Sequence, residues 1–149
     1  MTNGKCFFAA PIGKINSPER ERYLNLCEML RTLCDTKDIE LTLIDPLRMT
    51  TSGEITTQVV EQLKSAEYCI VDITGSNPNV MYELGIRTGI DRPYTVICEE
   101  GADRPFDLLT HRTMFYDFSK PAGIFQFQRD LVKQIKEHLQ ELAAQTKAA

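Results

Sequence analysis

The sequence predicts a single three-layer α/β domain built on a five-stranded, mostly parallel sheet. Two observations carry that expectation. Apolar runs alternate with helical patterns along the whole chain, as successive βαβ units require. The length of 149 residues suits one hydrophobic core and leaves little for a second. One domain over residues 1–149 is expected, with an alanine-rich tail that frays from about 143.

Taken in order, residues 6–10 read as the first strand, ended by Pro11. Ser17-Pro18 gives a cap followed by a first-turn proline, and Tyr23, Leu26, Cys27, Leu30, Leu33 and Cys34 then recur at helical spacing. Residues 39–44 form the second strand. Thr51 and Glu54 have the spacing of a capping box ahead of a helix bearing Ile55, Val59, Leu63 and Ala66. Residues 68–73 are nearly continuous apolar sequence with a carboxylate, Asp72, at the tip, as in a central strand covered on both faces. Asn77-Pro78 repeats the cap-then-proline signal and opens a helix to about Ile90. The fourth strand is read at 94–98 and the fifth at 114–116, before a long closing helix marked by Ile124, Phe127, Leu131, Ile135 and Leu142. Right-handed crossovers leave few topologies for such a chain, and the simplest is the flavodoxin-like, Rossmann-like order 2-1-3-4-5. Its switch point places a ligand crevice between strands 1 and 3, at their carboxyl ends.

Composition excludes several functions. Seventeen basic against 21 acidic side chains give a net charge of -4, which supplies no basic field for a nucleic-acid polymer. No stretch approaches the roughly 20 apolar residues of a membrane span, and the polar start lacks a signal-peptide pattern, so a cytoplasmic protein is expected. The five cysteines show no C-x-x-C spacing, and Cys6, Cys69 and Cys98 sit in strand-like runs, so buried reduced thiols are expected. With His111 and His138 as the two histidines, no metal site and no cofactor are expected.

Residues 77–90 are the most unusual segment. Apolar residues or glycine cover most of this helix's circumference, and Glu83 and Arg87 are its charges. The plain reading is an i, i+4 surface pair. Gly85 and Gly89 argue instead for close approach to the helix backbone, since each costs about 1 kcal/mol relative to alanine. Asn79 lies one turn before Glu83, and Asp72 ends the preceding strand, so two carboxylates and an amide are expected to converge on the crevice. Such a set fits acid and nucleophile roles. Arg20 and Arg22, in the first turns of the first helix, are candidates to hold a substrate phosphate, against a plain role as solvated helix charges. Pro11-Ile12-Gly13-Lys14 carries no P-loop or dinucleotide fingerprint. The cluster Asp107, His111 and Arg112 reads either as a loop closing over the site or as an ordinary polar loop.

Phe8-Ala9-Ala10-Pro11-Ile12-Gly13, Asp72-Ile73-Thr74-Gly75-Ser76-Asn77-Pro78-Asn79-Val80 and Tyr82-Glu83-Leu84-Gly85-Ile86 together resemble nucleoside 2-deoxyribosyltransferase-like proteins. Pro105-Phe106-Asp107-Leu108, followed by Arg112 and Tyr116, extends the resemblance, which covers residues 6–118. It implies that Glu83 attacks the anomeric carbon of a nucleoside, that Asp72 handles the departing base or orients the nucleophile, and that Pro11, Ile12 and Gly13 help form the pocket. Asn79, Arg20 and Asp107 complete the expected substrate contacts. The resemblance also implies a homo-oligomer, for which Phe125 and Leu139 on the closing helix look exposed. Relatives pass the sugar to water, and TIR-like proteins of similar fold cleave NAD, so the bond type is better indicated than the acceptor. Two readings follow: cleavage or transfer at the N-glycosidic bond of a nucleoside, nucleotide or NAD, or a non-catalytic module that senses a nucleotide or assembles with partners.

Overall fold

The computed structural model describes residues 4–49, 55–104 and 112–148. Five strands run β1 (Gly4–Ala9), β2 (Leu41–Ile44), β3 (Tyr68–Asp72), β4 (Tyr94–Glu99) and β5 (Thr113–Tyr116). Four helices connect and close them: α1 (Pro18–Cys34), α2 (Ile55–Ser65), α3 (Pro78–Thr88) and α4 (Pro121–Ala148). The strand order is β2-β1-β3-β4-β5, and every pairing is parallel. That is the predicted flavodoxin-like topology.

Side-chain alternation along the strands builds two cores. Cys6 and Phe8 of β1, Tyr68 and Ile70 of β3 and Ile97 of β4 face α1 and α4. Their neighbours Phe7, Ala9, Cys69, Val71, Val96 and Cys98 face α2 and α3. Because successive residues point to opposite faces, a strand covered on both sides must be apolar throughout, and all five residues of β3 are buried. The five cysteines are free and buried, three in the α1/α4 core and two in the α2/α3 core.

Both cap-then-proline signals act as read. Ser17 Oγ accepts from Arg20 N at 3.1 Å, and Asn77 Oδ1 accepts from Asn79 N at 2.9 Å and Val80 N at 3.2 Å. The capping box at Thr51 and Glu54 lies outside the described residues. The second strand begins at Leu41 rather than 39, because Ile39 and Glu40 close the helix-to-strand turn: both amides donate to the Thr36 carbonyl, and Glu40 adopts a φ of 54°. The closing helix continues to Ala148, past the point near 143 where fraying is expected; alanine is the strongest helix former. No described helix is long and apolar enough to cross a membrane.

Candidate active site

A cavity of about 420 Å³ opens beyond the carboxyl end of β1. One wall is the loop that follows this strand, including Pro11, Ile12 and Gly13. Facing it are the start of α3, with Asn77, Asn79, Tyr82 and Glu83, and the α2 residues Thr56, Val59 and Val60.

The loop is held by local chemistry. Gly13 has a φ of 74°, and a Cβ there would stand 2.7 Å from Glu19 Cβ and 2.8 Å from Arg20 N, so only glycine fits. Arg20 Nε donates to the Ile12 carbonyl at 3.1 Å and Nη2 to the Gly13 carbonyl at 3.0 Å. Arg20 is therefore a clamp on the loop, through Nε and Nη2, and does not line the cavity. Arg22 reaches Glu99 at 3.9 Å.

Glu83 lines the cavity as expected, and its Oε2 is buried with no hydrogen-bond partner among the described residues. Burial raises its pKa from 4.5 to about 7, because an ion withdrawn from water is destabilised. Asn79 is exposed on the same wall. The i, i+4 pair with Arg87 is absent. Arg87 is fully buried and turns away to the end of α2, donating from Nη1 to the carbonyls of Leu63 at 2.8 Å and Ala66 at 2.9 Å, and from Nη2 to that of Pro93 at 2.8 Å. The expected close approach at Gly85 is also absent, since a Cβ there would meet nothing within 4 Å. At Gly89, which caps α3, the nearest atom would be the Gly85 carbonyl oxygen at 3.4 Å, an ordinary contact.

Asp72 does not join Glu83 in the cavity wall. It is 1% exposed, and its two oxygens are held by Thr74 N at 3.0 Å, Thr74 Oγ1 at 2.5 Å and Tyr116 Oη at 2.7 Å. Burial raises its pKa, while the Thr74 and Tyr116 hydrogen bonds pull the other way. Thr74 Oγ1 also accepts from Glu99 N at 2.9 Å, so the carboxylate ties the tip of β3 to those of β4 and β5. Of its two structural alternatives, Asp72 closes a turn and leaves the capping of α3 to Asn77.

Asp107 and His111 lie outside the described residues, as does the segment 105–108. Arg112 lines a different recess, beside Tyr94 and His138. Sequence reasoning missed Tyr82, which is 62% exposed at the cavity, and counted Val59 as core. An aromatic residue left outside an otherwise apolar helix stripe was the available signal for Tyr82. A larger recess of about 750 Å³ lies between α1 and α4 beside Phe118 and Phe125. It lacks any residue of the β1 or β3 loops, so the Glu83 cavity is the better match to a switch-point site. No group of three or more potential metal ligands is present among the described residues.

The fold is shared with solved structures of very different sequence. A 2-deoxyribosyltransferase from the psychrotolerant bacterium Bacillus psychrosaccharolyticus aligns with a TM-score of 0.54 at 16% identity, covering 76% of this chain and 85% of that one. The lysine decarboxylase LdcF of Francisella novicida aligns with a TM-score of 0.54 at 14% identity, and 93% of this chain matches 18% of that much longer chain. No protein-family model matches the sequence, and no curated protein matches it significantly. At these identities the likeness is one of architecture.

Proposed function

We propose that the Glu83 cavity cleaves or transfers at the N-glycosidic bond of a nucleoside, nucleotide or NAD, with Glu83 as the nucleophile. The observation that carries this reading is the buried Oε2 of Glu83, without a partner among the described residues, on the wall of a cavity at the carboxyl edge of the sheet. As the C1′–N bond breaks, positive charge grows on the sugar, and an ionised carboxylate at C1′ stabilises it before bonding to it. The bonding electrons leave with the base, which takes a proton unless its glycosidic nitrogen was already cationic in the substrate, as in NAD, and so departs neutral. Water or a second base then releases the sugar from Glu83.

A carboxylate with a pKa of about 7 is divided between its two forms at neutral pH, so the nucleophile gains its charge as pH rises through that value. Asp72, fixed among Thr74 and Tyr116, serves this site by holding the β3 tip in place. The architecture shared with a 2-deoxyribosyltransferase supports the same reading. The active form is proposed to be a homo-oligomer. Phe125 is 67% exposed and available for such a contact, whereas Leu139 packs on the core and is not.

Incubation with mixed nucleosides, nucleotides and NAD, followed by chromatography, tests the proposal. Free base should appear, and mass spectrometry of the quenched reaction should find a glycosyl adduct on the peptide containing Glu83. Binding without any base release would support the non-catalytic sensing role instead.

A further inference from the structure

At the opposite, amino end of the sheet, a cavity of about 320 Å³ is lined by Arg92, Tyr94, Arg112, Gln134 and His138. Its described wall contains no carboxylate. Asp91 and Glu141 line the recess on one side, and Asp130 and Glu137 that on the other. In a chain of net charge -4, a wall whose formal charges are two arginines is not a consequence of composition.

The positive charge extends below the surface. Arg87 is fully buried, forms no ion pair among the described residues, and donates Nη2 to Pro93, whose residue also lines the cavity. Arg92 Nη1 lies 3.5 Å from the Ala66 carbonyl oxygen that accepts from Arg87 Nη1 at 2.9 Å. Arg92 Nη1 donates at 3.0 Å to the neighbouring Ser65 carbonyl, so two guanidinium groups meet the same short run of neutral carbonyl oxygens. Buried charges are ordinarily paired, and like charges this close repel, so the arrangement favours an anion nearby. Arg112 is exposed and has no partner among the described residues.

Beneath these cations a hydrogen-bond chain sets the remaining donors. Thr95 Oγ1 donates to Gln134 Oε1 at 2.7 Å, which leaves the Gln134 amide NH₂ unengaged. With its proton committed, Thr95 accepts from Tyr68 Oη at 2.5 Å, and Tyr68 in turn accepts from His138 Nδ1 at 2.6 Å. The chain fixes the orientations of Gln134 and His138 at the cavity. Tyr68 and Thr95 are themselves buried, so this part of the wall is rigid.

We propose that this cavity binds a small oxyanion, a phosphate or carboxylate group, which supplies the counter-charge to Arg92 and Arg112 on its wall, with the buried Arg87 charge behind them, and accepts from the Gln134 amide. The volume admits such a group together with a small carrier.

Titration of the intact protein with inorganic phosphate and with malonate, each against chloride at matched ionic strength, tests it by thermal unfolding and calorimetry. At least one oxyanion should bind saturably and raise Tm, and the tighter of the two identifies the class. Arg112→Ala, an exposed position whose loss leaves the core intact, should weaken that binding at least about tenfold, and Arg112→Lys should recover part of it. Absence of saturable binding by both anions would overturn the proposal. So would an Arg112→Ala variant that binds as the wild type does.

Discussion

Glu83 and Asp72 both lie near the carboxyl edge of the sheet, and their surroundings differ in kind. Asp72 has three donors on its two oxygens and is closed off beneath Tyr116, whereas Glu83 has a buried oxygen with no partner among the described residues and opens onto a cavity. Both acids have raised pKa values, and burial is the largest cause in each case. The shift alone therefore does not distinguish the two carboxyl groups. What distinguishes them is whether hydrogen bonds already satisfy the charge. A satisfied carboxylate holds a fold together, while an unsatisfied one is destabilised until something, such as a developing cation, arrives to meet it.

The largest expected effect falls on Glu83. Glu83→Gln should lower turnover about 1000-fold while substrate affinity in a binding titration changes little, because the lost interaction is strongest in the transition state. Near-normal turnover would end its assignment as nucleophile. Asp72→Asn should instead act on stability. It places an amide against three donors and should cost about 3 kcal/mol by denaturant unfolding. Any fall in activity should be equal for good and poor leaving groups; a selective loss with poor leaving groups would restore Asp72 as an acid.

A pH series sharpens the contrast further. Glu83 titrates at about 7 in the folded protein against 4.5 in the unfolded chain, so the folded state holds more protons between those values. Its contribution to stability is thus greatest below pH 4.5, falls as pH rises through the window, and levels off above about 7. Glu83→Gln removes that slope, and its stability relative to wild type should rise by ~2 kcal/mol between the two ends, measured by urea unfolding. An identical pH dependence in both proteins would mean that Glu83 is solvated after all. The smallest effect concerns the same helix: Gly85→Ala should stabilise by about 0.5 to 1 kcal/mol in thermal unfolding, with turnover unchanged, because the added methyl meets nothing.

What could be read from the chain was what depends on near neighbours. Ser17-Pro18 and Asn77-Pro78 announced their helices because a cap bonds within three residues. The apolar strands announced the parallel sheet, and the sheet order placed the cavity. Glu83 was legible as a wall residue because α3 follows directly from the β3 tip. Asp72 was not, since its fate depends on Tyr116, brought alongside only when β5 completes the sheet. The plain reading of Arg87 as a surface partner of Glu83 fails for a similar reason: helical spacing offered Glu83, but the carbonyls of Leu63, Ala66 and Pro93 lay in other elements. The glycines of α3 misled because their cost in a helix was taken to require a packing cause, and at Gly85 there is none.

The division of the cysteines between the two faces of the sheet makes the molecule its own reporter of unfolding. Cys6, Cys27 and Cys34 are sealed by α1 and α4, and Cys69 and Cys98 by α2 and α3. A thiol reagent reaches a buried sulfur only through an opening event, so alkylation rates count openings. If the domain opens as one unit, all five sulfurs are labelled at a common rate. If a helical layer lifts away first, its own cysteines react ahead of the others, and the order of labelling names the layer that yields.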